Sequence, residues 1–292
     1  MADWIRLSNG TLGAAINPHG AELSSLTDAQ SRELMTDADP RFWTGRAPIL
    51  FPIVGAPSGG TIRIDGIDYP MAKHGFARRS DFAVIEASAT RAVFALVDDQ
   101  VSRASFPFAF RLEIAFELRD ATLAIEVTVA NPADEALYTS FGFHPAFAWP
   151  LPYGHARPDH RITFADDEPN ALKAIAADGT IAAGEVPSPL DGRVLHLTDD
   201  LFAHDALVWD PVRSPSLRYG AGEGPQLDIA FPETPMLGIW TKPGAAYVCV
   251  EPWHGIADPH GYSGEFRDKP GVFAVAPHGE KRIAMAVTLI GD

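Results

Sequence analysis

The most regular stretch of the chain lies between Phe110 and Val129, where Phe110, Leu112, Ile114, Phe116 and Leu118 alternate with Arg111, Glu113, Ala115 and Glu117. A period of two sends successive side chains to opposite faces of a strand, so this run predicts a strand with one buried face. After Arg119-Asp120-Ala121 the alternation resumes through Leu123, Ile125, Val127 and Val129, and the two runs predict a long antiparallel hairpin. A second hairpin is expected at the start, where residues 4–7 and 12–16 flank Asn9-Gly10, a pair suited to a type I′ turn. A third is expected at the end, with residues 273–276 and the Ile283, Met285, Val287, Leu289 run on either side of Pro277-His278-Gly279-Glu280. Residues 62–69 around Asp65-Gly66, and residues 91–97, 207–209, 227–231 and 238–240, supply further extended runs.

Helical signals are scarce. Residues 39–43 and 98–104 begin with capping-type acids and are expected to form short helices, but neither sustains a 3.6-residue period. The 25 glycines and 25 prolines are spread along the whole length, as expected where many strands need turns, and no linker interrupts them. The expectation is one all-β domain over residues 1–292, a large antiparallel β-sandwich whose outer face carries a groove. Residues 151–189, polar apart from Ile162 to Phe164 and Leu172 to Ile175, form the most loop-like region and are expected to cover a binding site.

Composition narrows the function. Thirty-eight acids against 23 bases leave a net charge of −15, which repels phosphate backbones and anionic lipid, so neither nucleic acid nor membrane is an expected partner. The first ten residues show no basic and then apolar leader, and no stretch approaches 18 apolar residues, so a cytoplasmic protein is expected. Cys249, the one cysteine, lies in an apolar run and reads as a buried, inert thiol.

Five short stretches set polar residues among apolar ones: Lys73-His74-Gly75-Phe76-Ala77-Arg78, Phe141-Gly142-Phe143-His144-Pro145-Ala146-Phe147, Ala203-His204-Asp205-Ala206-Leu207, Val250-Glu251-Pro252-Trp253-His254-Gly255 and Ala257-Asp258-Pro259-His260. His144, flanked by aromatics, reads as a tuned acid/base group or as a core histidine bonded to a carbonyl. Glu251, delivered by an apolar strand to a sheet rim, is a stronger candidate for a base that takes a hydroxyl proton. His254, Asp258 and His260 could hold a metal, though a Gly- and Pro-containing loop gives them no common face. Arg78-Arg79 reads as a phosphate clamp or as surface charge, and Trp149, Trp240 and Trp253 as sugar platforms or core. Neither a phosphate-binding glycine loop nor a Gly-x-Ser-x-Gly elbow occurs.

Taken in order, these stretches resemble the aldose 1-epimerase (galactose mutarotase-like) family nearly end to end. The resemblance also takes in His19-Gly20-Ala21-Glu22-Leu23, Pro48-Ile49-Leu50-Phe51-Pro52-Ile53-Val54-Gly55 and the Pro277-His278-Gly279 turn, and is most specific at Tyr247-Val248-Cys249-Val250-Glu251-Pro252-Trp253-His254-Gly255. It implies a galactose mutarotase-type β-sandwich (supersandwich) that needs no cofactor or metal and interconverts the α and β anomers of a free sugar. It further implies His144 as general acid and Glu251 as general base, with His74 and Asp205, then Arg78 and Trp253, binding the sugar. One position departs: where many members read Gly-Arg, this chain reads Gly55-Ala56, so Arg46 or Arg78 would have to replace that arginine. The neighbouring readings are a hexose-6-phosphate mutarotase, a carbohydrate-binding protein without turnover, and a glycoside hydrolase or lyase, which would want a second carboxylate such as Asp205.

Overall fold

The protein was analysed as a computed structural model that describes residues 4–291. The long hairpin forms as its pattern predicts. Arg111–Arg119 pairs with Thr122–Ala130, the turn runs through Asp120 at φ 49°, and Leu112, Ile114, Phe116, Leu118, Leu123, Ile125, Val127 and Val129 are all buried. The hairpin lies within a nine-stranded antiparallel sheet. On one side follow Arg91–Val97 and, at the edge, Ala83–Ala87; on the other follow Glu280–Ile290, Gln226–Ala230, Ser216–Ala221, His160–Phe164 and Val194–His196.

A seven-stranded sheet packs against it. Phe141–Gly142 and Ala146–Ala148 both pair with Tyr247–His254, followed by Met236–Trp240, Leu207–Trp209, Leu172–Ile175 and Ile181–Val186. Rings from the two sheets meet directly, Phe164 against Trp209 at 5.0 Å and Phe147 against Tyr219 at 6.5 Å between centroids. One apolar cluster draws on both sheets and takes in residues from Leu7 to Val287. Burial on this scale, at roughly 25 cal/mol per Å² of apolar surface, is what holds two open sheets face to face. Among the described residues no helix is long and apolar enough to cross a membrane.

Four local expectations are corrected. The opening hairpin forms between Ile5–Ser8 and Leu12–Asn17, but only Gly10 has positive φ, at 87°. Asn9 Oδ1 instead accepts the Thr11 and Leu12 amides, so a side chain, rather than a I′ backbone, closes the turn. The Asp65-Gly66 turn, by contrast, has two consecutive positive φ values, 50° and 78°. The closing hairpin does not form: both edges of Glu280–Ile290 are taken by Thr122–Ala130 and Gln226–Ala230, so Phe273–Val275 pairs with Leu137–Thr139. A strand has only two edges, and the more distant partners fill them.

Residues 39–43 make a single turn, with the Phe42 and Trp43 amides on the Asp39 carbonyl, whereas Gln100–Arg103 is a helix capped reciprocally by Asp99 and Ser102. The stretch 151–189 is no long loop. It contributes His160–Phe164 to the larger sheet and two strands, Leu172–Ile175 and Ile181–Val186, to the smaller, its apolar islands being their buried positions.

The segment from Leu50 to Gly55 bridges to both halves of the smaller sheet's surroundings, through Leu50 to Gly142 and through Phe51 to Gly75. At Gly75, φ is 70° and a Cβ would lie 2.1 Å from the Phe51 carbonyl oxygen, so no other residue fits without moving the backbone. Gly75→Ala is expected to destabilise the fold by about 1–2 kcal/mol for the left-handed conformation alone, with more from the overlap. A denaturant midpoint equal to that of the wild type would show that this backbone contact does not constrain the chain.

Candidate active site

Tyr247–His254 is buried along its whole length. Val248 and Val250 belong to the core between the sheets, and alternation sends Cys249, Glu251 and Trp253 to the opposite face. Two glycines make room there. Gly238 lies opposite Glu251 and Gly142 opposite Trp253, and a Cβ on either would come within 2.5 or 2.6 Å of the Trp253 indole.

His144 sits in the short connection between Phe141–Gly142 and Ala146–Ala148, two strands that pair with the same partner. The Phe143 amide donates to Pro252 O, and the Val250 amide donates to Pro145 O. The peptides on either side of His144 are thus tied to those on either side of Glu251. The result is a contact of 3.2 Å between His144 Nε2 and Glu251 Oε2. Glu251 is 2% exposed, and its Oε1 has no hydrogen-bond partner, nor does His144 Nδ1. Unpaired polar atoms in a native interior call for an explanation, and a cavity beside them supplies one.

Burial sets the protonation of the pair. Desolvation draws the His144 imidazole down to about 3, and the charges of Arg78 and Lys73 push in the same direction. Desolvation also raises the Glu251 carboxyl well above its usual range, reinforced by Asp205 and opposed by Lys73 and the Trp253 side chain. Both groups are driven towards their uncharged forms, which leaves one proton for the two.

His74 is held in the left-handed region at φ 65°, its amide donating to Gly55 O and its Nδ1 accepting the Gly55 amide at 3.1 Å. That bond assigns the proton to Nε2, and burial, then the charges of His144, Lys73 and Arg78, keep the ring neutral. Arg78 anchors Nη2 on Lys73 O at 2.9 Å and leaves a buried Nε without a partner. Asp205 is exposed at the rim with φ 82°, its carboxylate accepting the next amide, that of Ala206.

A cavity of about 260 Å³ is lined by His74, Arg78, His144, Asp205, Glu251 and Trp253 together, so the six residues to which the family resemblance gives a role meet in one place. Its aromatic wall is Trp43 and Trp240: Trp43 lies 4.9 Å from the His144 ring, tilted 32°, and Trp240 meets it edge-on at 6.0 Å. Ile175, Gly179 and Ile181, from the region expected to be loop, also line it.

Sequence reasoning missed Trp43 and Lys73. Trp43 fell inside an expected helix, and Lys73 was quoted but given no role; aromatic and basic residues next to turn-forming ones were the available signal. Trp149 is no platform: its ring is 1% exposed, lies under the Arg157 guanidinium at 3.6 Å and donates Nε1–H to Arg157 O. Arg79 does not line the cavity, so the Arg78-Arg79 pair is no clamp. Arg46 donates to Thr36 O and does not replace the arginine absent at Ala56.

The His254, Asp258, His260 set does not converge. His254 packs on Phe273, Asp258 pairs with buried Lys269 at 2.8 Å, and His260 faces Asp178 and Thr180. Among the described residues the donor atoms that do come together are those of His144, Cys249 and Glu251, within 4.8 Å. Burial holds Cys249 as a thiol, so the set offers a cation an imidazole and a carboxyl, with no thiolate.

Residues 3–218 match the family model described as aldose 1-epimerase. The chain belongs to that family. The match stops before the strand that carries Glu251 and Trp253, but relatives span the whole length. Protein LacX (chromosomal) of Lactococcus lactis subsp. lactis is 27% identical, over 98% of this chain and 99% of that protein. A galactose mutarotase related enzyme from Lactobacillus acidophilus superposes with a TM-score of 0.89 at 28% identity, covering 99% of this chain and 97% of the other. A galactose mutarotase-like protein from Lactobacillus casei ATCC 334 gives 0.90 at 27%, covering 98% and 100%. The aldose epimerase chain thus has the galactose mutarotase-like β fold.

The raised Glu251 carboxyl has a consequence for stability. Above about pH 4.3, where the unfolded chain has lost this proton, the folded chain still binds it, so stability falls as pH rises until the raised folded value is passed. Glu251→Gln removes that dependence. Its melting temperature is expected to exceed that of the wild type by a margin that widens from about pH 4.3 upward. A difference constant from pH 4 to 9 would show that the carboxyl is not strained by burial.

Proposed function

We propose that the protein is an aldose 1-epimerase in activity, interconverting the α and β anomers of a free aldohexose by ring opening and closure. The observation that carries this reading is the 3.2 Å contact between His144 Nε2 and Glu251 Oε2 in a cavity with room for one sugar ring. The hydroxyl oxygen O1 and the ring oxygen of a cyclic aldose are both bonded to C1. An acid and a base that serve these two oxygens must therefore be near neighbours, closer than the opposite sides of the ring that the residue types alone suggest.

The proton count closes. The step starts from the form in which the pair's one proton has crossed the 3.2 Å contact from the carboxyl to the imidazole. Glu251, through its unpartnered Oε1, then takes the O1 proton while His144 protonates the ring oxygen, and the C1–ring-oxygen bond breaks to leave an open-chain aldehyde. The pair still holds one proton, now on the carboxyl. Rotation about C1–C2 presents the other carbonyl face, and closure returns each proton along its path. Nothing is oxidised and no group goes to water, so the scheme calls on no cofactor. His74 Nε2–H, Arg78 and Asp205 would hold ring hydroxyls, with Trp43, Trp240 and Trp253 against the C–H faces. We take the 292 residues as one domain and place the reaction in the cytoplasm, the first supported by the single apolar cluster that joins both sheets.

Glu251→Gln and His144→Asn are each expected to lower the polarimetric rate on fresh α-glucose or α-galactose by 10² to 10⁴-fold, about 3 to 5 kcal/mol, with sugar binding retained. Undiminished rates in either variant would remove that residue from the scheme. Sugar binding by a wild type without turnover would favour a binding protein instead.

A second reading, a hexose-6-phosphate mutarotase, is favoured by Lys73 and Arg78, two cations lining the cavity without a carboxylate partner. A neutral aldose remains the choice, because Arg79 is turned away and no two guanidinium groups converge as a dianion would require. The expected outcome is a higher kcat/KM for glucose or galactose than for glucose 6-phosphate; a tenfold preference for the phosphate, weakened by salt, would reverse the choice.

A further inference from the structure

Lys73 is a charged residue of the cavity that no step above uses. Its backbone is held from both sides: its carbonyl accepts Arg78 Nη2 at 2.9 Å, and the next residue, His74, is fixed to Gly55 by two hydrogen bonds. Its side chain is free by contrast. Among the described residues the ammonium makes no ion pair and no hydrogen bond, although 13 other Lys and Arg side chains pair with carboxylates. Its position is marked by Gly179 on the opposite wall, where a Cβ would meet Lys73 Nζ at 3.7 Å and Ala56 Cβ at 3.5 Å. The ammonium therefore comes over the space beside residue 56, where this chain has only a methyl group, and its charge is felt at Glu251, His144 and His74.

We infer that Lys73 is a substrate-binding residue of this site, whose ammonium donates hydrogen bonds to sugar hydroxyls from the side of the cavity that Ala56 leaves open. Three features favour this over a merely solvated lysine. The ammonium faces a cavity that holds two acids, Glu251 and Asp205, yet it is paired with neither. A Cβ at Gly179 would lie at ordinary contact distance from Nζ, 3.7 Å, so the stem of Lys73 carries the ammonium past Ala56 to the segment 175–181 of the cavity lining. The other donors on the cavity wall are short or fixed: His74 has one N–H, Trp43, Trp240 and Trp253 have one each on a rigid ring, and Arg78 is tethered to the Lys73 carbonyl. A hydroxyl on that side of the ring has no other mobile cationic donor, and hydrogen bonds from charged donors are the stronger kind. A lysine also reaches by a flexible stem where an arginine would impose a planar fork, so this site is expected to tolerate more than one hydroxyl configuration on that side.

This assignment deepens the mutarotase reading and rests on it for its substrate. The experiment therefore measures turnover by polarimetry and sugar binding by quenching of tryptophan fluorescence, with glucose and galactose, in wild type, Lys73→Met and Lys73→Arg. Lys73→Met keeps the stem and removes the charge. It is expected to raise KM and the fluorescence dissociation constant tenfold or more, because the ammonium's hydrogen bonds to the sugar are lost in ground and transition states alike. Lys73→Arg is expected to bring both constants back to within threefold of the wild type, which a structural role for the lysine stem would not require. KM and dissociation constant within twofold of the wild type in Lys73→Met, whatever happens to kcat, would overturn the assignment and leave the mutarotase reading standing. Absence of turnover in the wild type would overturn the mutarotase reading, and the fluorescence constants alone would then decide the role of Lys73. Absence of sugar binding by the wild type would overturn both.

Discussion

A carboxyl and an imidazole, both almost wholly out of water and in contact, set the terms for the rest of this structure. A lone ionised carboxylate in such a place is prohibitively costly, so the surroundings have to keep the group neutral, share a proton with it or partner its charge. The chain does this with backbone. The strand Tyr247–His254 fixes Glu251, and two hydrogen bonds that bracket the pair bring the segment 143–145 to it. Stability of the sheet and geometry of the pair are thus the same set of bonds, and neither residue can shift without breaking the edge pairing of the seven-stranded sheet. The burial that shifts both groups towards neutrality also makes one proton sufficient for two, the count that the proposed anomerisation keeps throughout.

Close approach of backbone and rings completes the site. Gly142 and Gly238 let the Trp253 indole lie flat against the strand, and Gly75 lets the His74 turn sit against the Phe51 carbonyl. His74 and Asp205, left-handed at 65° and 82°, are non-glycine residues in a conformation that costs about 1–2 kcal/mol each. Such strain persists where the surroundings over-determine it, and both residues point their polar groups at the cavity. Four separate stretches of chain carry the site's six candidate residues, and Trp43, Trp240 and the segment 175–181 come from others, so its rigidity comes from the sandwich as a whole.

Much of this was legible in the sequence, for reasons that also explain what was not. Alternation over residues 110–129 reports directly on which face is buried, because the strand's period is two whatever its partners are. Partner choice is different: the run 273–276 looked like the mate of the last strand, but two distant strands had already filled that strand's edges. Residues 151–189 read as loop because their strands are short and polar on the outer face, and only the buried positions, such as Ile162, Phe164 and Leu172, carried the signal. The six candidate residues were found because each stood out against apolar neighbours or a matched motif. Trp43 and Lys73 did not stand out in that way: a tryptophan after a turn and a lysine at a strand-free corner are ordinary until the fold brings His144 and Gly179 next to them.

The geometry also separates the chemistries that this kind of sandwich could host. Hydrolysis of a glycoside by two carboxyls places them about 5 to 9.5 Å apart, with the scissile bond or a water between them. Here the nearest partner of Glu251 is an imidazole at 3.2 Å, while Asp205 sits exposed at the rim with its carboxylate on its own neighbouring amide. A pair that close has no room for a leaving group and a nucleophile on opposite faces of a ring. It suits two oxygens on one carbon. The aromatic wall of Trp43 and Trp240 reinforces this, because it packs on the His144 ring itself and keeps the proton-bearing group in an apolar setting. Under the proposed scheme a protonated imidazole in that setting gives its proton to a ring oxygen more readily than it holds the charge. In the proposed reaction acid and base serve the two oxygens of one carbon, C1, and the remaining polar groups are left to decide which sugar presents it.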